Sequence, residues 1–330
     1  SELFLNWEYT IQPVKNIARP FEFLEEYEKS YYSDLPAALL TIDDTDFDVY
    51  NTLIEKFNAS PVRGLAARTG IIRQTASEIA GEDHADSLVD AWVKTEKGIL
   101  HFIDTGLEGL VTCCVNQRWL NRPFVLFPSE LTVDEKCYFR QFQFQANTEA
   151  HADDLLDIQN SSFIRGYSGV FLATAALRKA VILFNEASEI VRIIAKTKKD
   201  STSNVLSLYA DRLALLSCFM TNAINAIRFQ HIIDTTDYDK TPEISPEWPL
   251  DAEKNLLLFE EITRAEIDNT NKIINLIDGR EDRMLLLAPS HELEDIFLLS
   301  PRLVSQLRTK TETMLDHMLD GKRLFETHNK

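Results

Sequence analysis

The chain has 330 residues, more than one hydrophobic core usually organises, so two packed units are expected. With 52 acidic against 34 basic residues the formal charge is −18, a field that repels phosphate backbones and anionic lipid and so speaks against nucleic-acid and membrane partners. Only 10 glycines and 11 prolines occur, and the abundance of Leu, Ile and Ala favours helix over a turn-rich β architecture.

No apolar run approaches the ~20 residues needed to cross a bilayer, and the opening SELFLNWEY lacks the basic and apolar regions of a signal peptide. The first residue is Ser1 rather than methionine, which suggests a processed chain or a piece of something longer. Cys113, Cys114, Cys137 and Cys218 show no CxxC or Cys/His ligand spacing and read as reduced core residues, which leaves the compartment open.

In chain order, residues 3–11 (LFLNWEYTI) read as a buried strand, and Ala37–Ile42 is the one other strand-like run. Between them Pro20 opens a helix with Phe21, Leu24, Tyr27 and Tyr31 on one face. This order resembles the closing segment of an α/β domain whose beginning is absent. An acidic turn with Asp43, Asp44, Asp46 and Asp48 follows; it lacks the glycine and terminal glutamate of a calcium loop and reads as a solvated helix cap.

From there the pattern is helical. Phe47, Tyr50, Leu53, Ile54 and Phe57 mark one amphipathic helix, and Ser60 and Pro61 start the next, with Leu65, Ile71, Ile72, Ala76 and Ile79, ending at Gly81. Asp83 or Asp86 can cap a third, whose buried stripe is Leu88, Ala91, Trp92, Thr95, Ile99 and Phe102. The run NQRWLNRPFVLFPSEL then interrupts the helices; Pro123 pushes Arg122 toward extended backbone, so a rigid loop is expected. Helix resumes at the cap-like Thr132, with Val133, Tyr138, Phe139 and Phe142 presented to the core and Asp134 and Glu135 in the first turn. Four long helices follow, over 169–199, 203–231, 252–277 and 301–326, with a proline-rich surface link at 234–250.

The expected architecture is therefore mainly α: an antiparallel long-helix bundle with a short N-terminal α/β segment. The expected divisions are 1–45, an α/β segment that could be the end of a truncated barrel; 46–128, a first helical block with the Arg/Trp loop; and 129–330, the long-helix bundle.

Arg118, Trp119 and Arg122 carry the sharpest chemical signal. Guanidinium forks bind carboxylates or oriented hydroxyls, and an indole offers an apolar face to the C–H surface of a sugar. Equally, the two arginines can pair with local acids while Trp119 fills the gap between helical blocks. Trp7, Glu8 and Tyr9, at the C-terminal end of the first strand, are a second ligand-binding candidate, although strand alternation turns Glu8 away from the two aromatics. No HExxH, P-loop, GxGxxG or GxSxG is present, so no metal, cofactor or nucleophile is predicted, and the histidines read as surface residues. Neighbouring acids such as Asp153/Asp154 and Glu260/Glu261 lie ~100° apart on a helix and cannot face one another as an acid/base pair.

The stretch SPVRGLAARTGIIRQTASEIAGEDHADSLVDAWVKTEKGI, with NQRWLNRPFVLFPSELTVDEKCYF after it, resembles the helical region that follows the (β/α)8 barrel in large bacterial glycoside hydrolases of the α-glucuronidase-like kind. Gly81, Glu82, Ala85, Leu88, Ala91 and Trp92 carry the likeness, which spans roughly residues 60–144. It implies a non-catalytic or cleft-completing region of a carbohydrate-active protein. Catalytic carboxylates would lie upstream of this chain, an oligosaccharide would be the ligand, and the helices would offer a surface for a homodimer. The alternative is a free-standing helical protein-interaction module.

Overall fold

The computed structural model describes residues 3–6, 14–33, 37–40, 49–103, 119–142, 166–235, 252–294 and 299–327. Among these the chain is mainly helical, with α1 Pro20–Tyr32, α2 Val49–Ala59, α3 Leu65–Ala80, α4 Ala85–Ile103 and α5 Val133–Gln141. Beyond these come α6 Gly166–Thr197, α7 Ser201–Thr235, α8 Ala252–Ile277, α9 Glu281–Met284, α10 Leu303–Asp316 and α11 Asp320–Thr327. Two four-residue strands, β1 Leu3–Asn6 and β2 Ala37–Leu40, pair in parallel with Leu3 opposite Ala37 and Asn6 opposite Leu40. Two such strands do not make an α/β layer, so the α/β segment expected over 1–45 is not supported. The remainder of LFLNWEYTI and the Asp43–Asp48 turn lie outside the described residues, as do Cys113, Cys114, Asp153 and Asp154.

The chain forms two compact units, each discontinuous in sequence. Unit 1 comprises 1–108, 179–217 and 280–287; unit 2 comprises 109–178, 218–279 and 288–330. Two of the limits fall inside α6 and α7, where nothing in the helical periodicity marks them.

In unit 1, α1 to α4 pack through Phe23, Leu24, Leu53, Phe57, Ile72, Leu88 and Trp92, all fully buried. The inward face of α1 is Phe23, Leu24 and Tyr27, with Tyr27 edge-on to Phe57 at 5.3 Å; Tyr31 is exposed, a shift of the face expected from sequence. Helix α3 begins at Leu65, later than the Ser60–Pro61 start, because Gly64 takes φ +87° and its N–H donates to Glu28 Oε1 at 3.0 Å. Gly81, at φ +80°, ends α3 as expected. Predicted stripe residues Leu88, Ala91, Trp92, Thr95 and Ile99 of α4 are all buried.

Helices α6 and α7 run antiparallel within unit 1. The Ser188 hydroxyl donates to the Ala210 carbonyl at 2.7 Å and the Ser203 hydroxyl to Ala195 at 2.9 Å, so one residue number rises as its partner falls. In unit 2, Asn222, Asn225 and Arg228 of α7 meet Glu266 and Glu261 of α8 in the same descending order.

The last expected long helix is broken into α10 and α11. The break forms at His317, whose Nδ1 meets Asp320 at 3.0 Å and whose Nε2 meets Glu135 at 3.2 Å, so this histidine is a half-buried tie rather than a surface residue. The bend brings Gly321 against Phe259, where an added Cβ would lie 2.5 Å from the ring. Among the described residues no helix is long and apolar enough to cross a membrane.

Candidate functional site: a buried polar clamp on residues 119–126

Within unit 2 the Arg/Trp stretch is helical over residues 119–121, then runs irregularly from Arg122 to Phe127 and turns through a 3-10 helix at Pro128–Glu130. The predicted cap at Thr132 is present as a full capping box. Glu135 N donates to Thr132 Oγ1 at 3.3 Å, and Thr132 N donates to Glu135 Oε2 at 2.7 Å.

The segment turns inward. Trp119 is 1% exposed and Arg122 2%, so neither faces solvent as the ligand-binding reading requires, and Trp119 fills the interior as the alternative reading held. The Arg122 guanidinium carbon lies 4.7 Å from the centre of the Phe139 ring, a cation–π contact within the core, while Val125, Leu131 and Phe139 form one apolar cluster. The physical reason is the density of apolar groups in the run itself. Leu120, Phe124, Val125 and Leu126 are all buried and draw their neighbours in with them. Arg118, Trp7, Glu8 and Tyr9 lie outside the described residues.

Burying the end of this helical turn removes the carbonyls of Trp119, Leu120 and Asn121 from water, and each needs a donor. The donors come from a cluster that composition and motifs did not single out. Asn222 Nδ2 reaches both the Trp119 carbonyl, at 3.1 Å, and Glu266 Oε1, at 2.7 Å. Lys310 Nζ donates to the Leu120 carbonyl at 2.8 Å and to Glu266 Oε1. Asn225 Nδ2 donates to Glu266 Oε2 at 2.9 Å, and the Thr270 hydroxyl lies 3.4 Å from Glu266 Oε1. Tyr138 Oη is within reach of the carbonyls of Asn121, at 2.8 Å, and Gln306, at 2.7 Å, so its one proton serves one of them at a time.

Glu266 and Lys310 are both 0% exposed. Burial pulls the Lys310 ammonium below its ordinary value, against the opposing attraction of Glu266. The ammonium also sits 5.2 Å from the centre of the Phe124 ring, which stacks on Phe229 at 4.8 Å. Both oxygens of Glu266 already face donors, so the cluster holds backbone in place; its carboxylate faces inward partners on every side.

A sequence signal for the clamp did exist. Lys310 falls in the Leu303, Leu307, Met314 stripe of α10, and Asn222 and Asn225 fall between Met220, Ile224 and Ile227 of α7. A polar residue at an inward register position is a buried polar group waiting for a partner.

Of the other candidates, Glu260 and Glu261 pair outward with Arg264 and Arg228, as solvated faces do. Cys218 is buried, and burial pushes its thiol up to about 12; Cys137 is exposed rather than in the core. Among the described residues no group of three or more His, Cys, Asp or Glu could hold a metal ion. The residues behind the glycoside hydrolase resemblance have a structural account: Gly81 turns the chain between helices, Glu82 is exposed and pairs with Arg73, and Ala85, Leu88, Ala91 and Trp92 are the buried face of α4. Compared with protein-family models, curated proteins and solved structures, the chain has no match.

Proposed function

We propose that this chain is a non-catalytic helical region supporting a carbohydrate-active, glycoside hydrolase-like protein whose catalytic carboxylates lie in an upstream domain. The supporting role rests on one observation: the buried charge pair Glu266–Lys310 and the amide of Asn222 are committed to the carbonyls of Trp119 and Leu120. Polar groups whose bonds are already made to backbone carbonyls and to one another serve a framework. The carbohydrate assignment rests on the resemblance over residues 60–144. On this reading the β1–β2 pair continues an upstream sheet, and Trp119 and Arg122 act by holding the framework. The test is hydrolysis of aryl glycosides by the chain, together with calorimetric titration of acidic and neutral oligosaccharides into wild type and Trp119→Phe. The reading expects no turnover, and a substitution that lowers the melting temperature without changing the titration. Turnover by this chain alone would overturn it.

The interaction-module reading has one observation in its favour. In unit 1, Ile182 and Ile193 of α6 are 55% and 52% exposed and lie eleven residues apart, which puts them on one face after three helical turns. Sedimentation of wild type and Ile182→Glu tests whether that face joins two copies; an unchanged monomer in both discards it.

A further inference from the structure

Unit 1 contains a carboxylate that the clamp does not use. Helix α1 begins at Pro20, which has no N–H, and its N-cap residue Arg19 makes no side-chain capping bond. The first two donors of the helix, Phe21 N and Glu22 N, both point at Glu96 Oε1 on α4, at 2.8 and 3.4 Å. Glu96 thus caps α1 from 74 residues away, across a helix–helix contact.

The groups around this cap have opposite tendencies. Glu22 and Arg19 face Glu96 from α1, where Arg19, 3% exposed, is itself paired with Glu22. Tyr209 of α7 lies within electrostatic reach of Glu96. Tyr50 of α2 completes the joint; its Oη takes the Arg19 N–H at 3.0 Å and donates to the Ile17 carbonyl at 3.2 Å. The Arg19 backbone N–H is thus held by Tyr50, and its guanidinium pairs with Glu22.

We propose that the α1–α4 contact is a proton-sensitive latch, in which Glu96 caps α1 in either protonation state but only the neutral acid does so without setting a second negative charge beside Glu22. The neutral acid still accepts through its carbonyl oxygen, so the cap survives protonation while the cost of the charge disappears. Burial is the main cause that raises the Glu96 carboxyl, from 4.5 to about 7, and Glu22 acts in the same direction; the two backbone donors and Arg19 pull the other way without prevailing. A folded value above the unfolded one means that the folded chain holds the proton more tightly. The stabilisation is fully present below about pH 4.5 and is lost as pH rises through about 7, so the latch is tight in mild acid and loosened above neutrality.

Hydrogen exchange at Phe21 and Glu22 in the full chain tests this, at pH 5.5 and 8.5 with the intrinsic pH dependence divided out. Wild type is expected to lose protection on the order of tenfold or more at the higher pH, because the folded chain's tighter hold on the proton no longer contributes there. Glu96→Gln, which keeps the acceptor and removes the charge, is expected to stay protected at both. Glu96→Leu, which removes the acceptor, is expected to lose protection at both. Equal pH dependence in wild type and Glu96→Gln, or undiminished protection in Glu96→Leu, would overturn the proposal. So would a Glu96 carboxyl titration by carbon NMR with its midpoint below 5.

Discussion

Replacing Lys310 by methionine isolates the energetics of the clamp. The side chain is similar in length, so the cavity is small, but Glu266 at 0% exposure loses its counter-charge and keeps Asn222, Asn225 and Thr270 as neutral donors. Breaking a buried pair from one side costs about 3–5 kcal/mol. The Leu120 carbonyl loses its donor as well, worth about 1–3 kcal/mol in isolation. The two losses share one site and are not additive, so a total of about 4 kcal/mol is expected. With a urea slope of roughly 3 kcal/mol/M or more for a chain this long, the unfolding midpoint should fall by about 1 M. The double variant Glu266→Gln/Lys310→Met removes the stranded charge and should recover part of the loss. Equilibrium urea unfolding of the four members of the cycle reads both quantities. A Lys310→Met cost below about 1 kcal/mol, or a double variant as unstable as the sum of the singles, would refute the clamp as described.

Two further substitutions test packing and capping. An added Cβ at Gly98 would lie 2.7 Å from Phe184 Cε1, so Gly98→Ala should overpack unit 1 and cost about 1–3 kcal/mol, read as a lowered thermal midpoint; an unchanged or raised midpoint would mean that the ring moves freely. Thr132→Ala removes the side-chain half of the capping box and should cost about 1 kcal/mol, with faster hydrogen exchange confined to the first turn of α5.

Helix faces were legible in the sequence where apolar residues formed a single narrow stripe. In α4 the stripe from Leu88 to Ile99 is the buried one, and the Thr132 cap and the Gly81 stop also follow from local chemistry that tertiary contacts leave intact. Where apolar residues occur on several faces, periodicity does not say which face is inward. Val133 is 83% exposed and Leu65 is exposed, although the apolar pattern groups both with core positions. Two units were expected from length, but their limits were not legible, because those at Lys179 and Ser217 lie inside helices that no local signal interrupts.

The candidate site shows a different failure. Two arginines beside a tryptophan have the composition of a ligand-facing lip, but composition does not fix which way a segment faces. Here the outcome depends on partners about 100 to 190 residues away, Asn222 and Lys310, which supply the donors that make burial of the Trp119 and Leu120 carbonyls tolerable. Those partners were visible only as polar residues out of place in apolar stripes.

The inward anchoring of residues 119–126 can be measured on the folded chain by fluorine NMR with 5-fluorotryptophan, using Trp119→Phe to assign the resonance. The clamp predicts a Trp119 signal with no H2O/D2O isotope shift, unmoved by added oligosaccharide, that gains a solvent shift in Lys310→Met. A solvent-sensitive signal in wild type that moves saturably with sugar would contradict it.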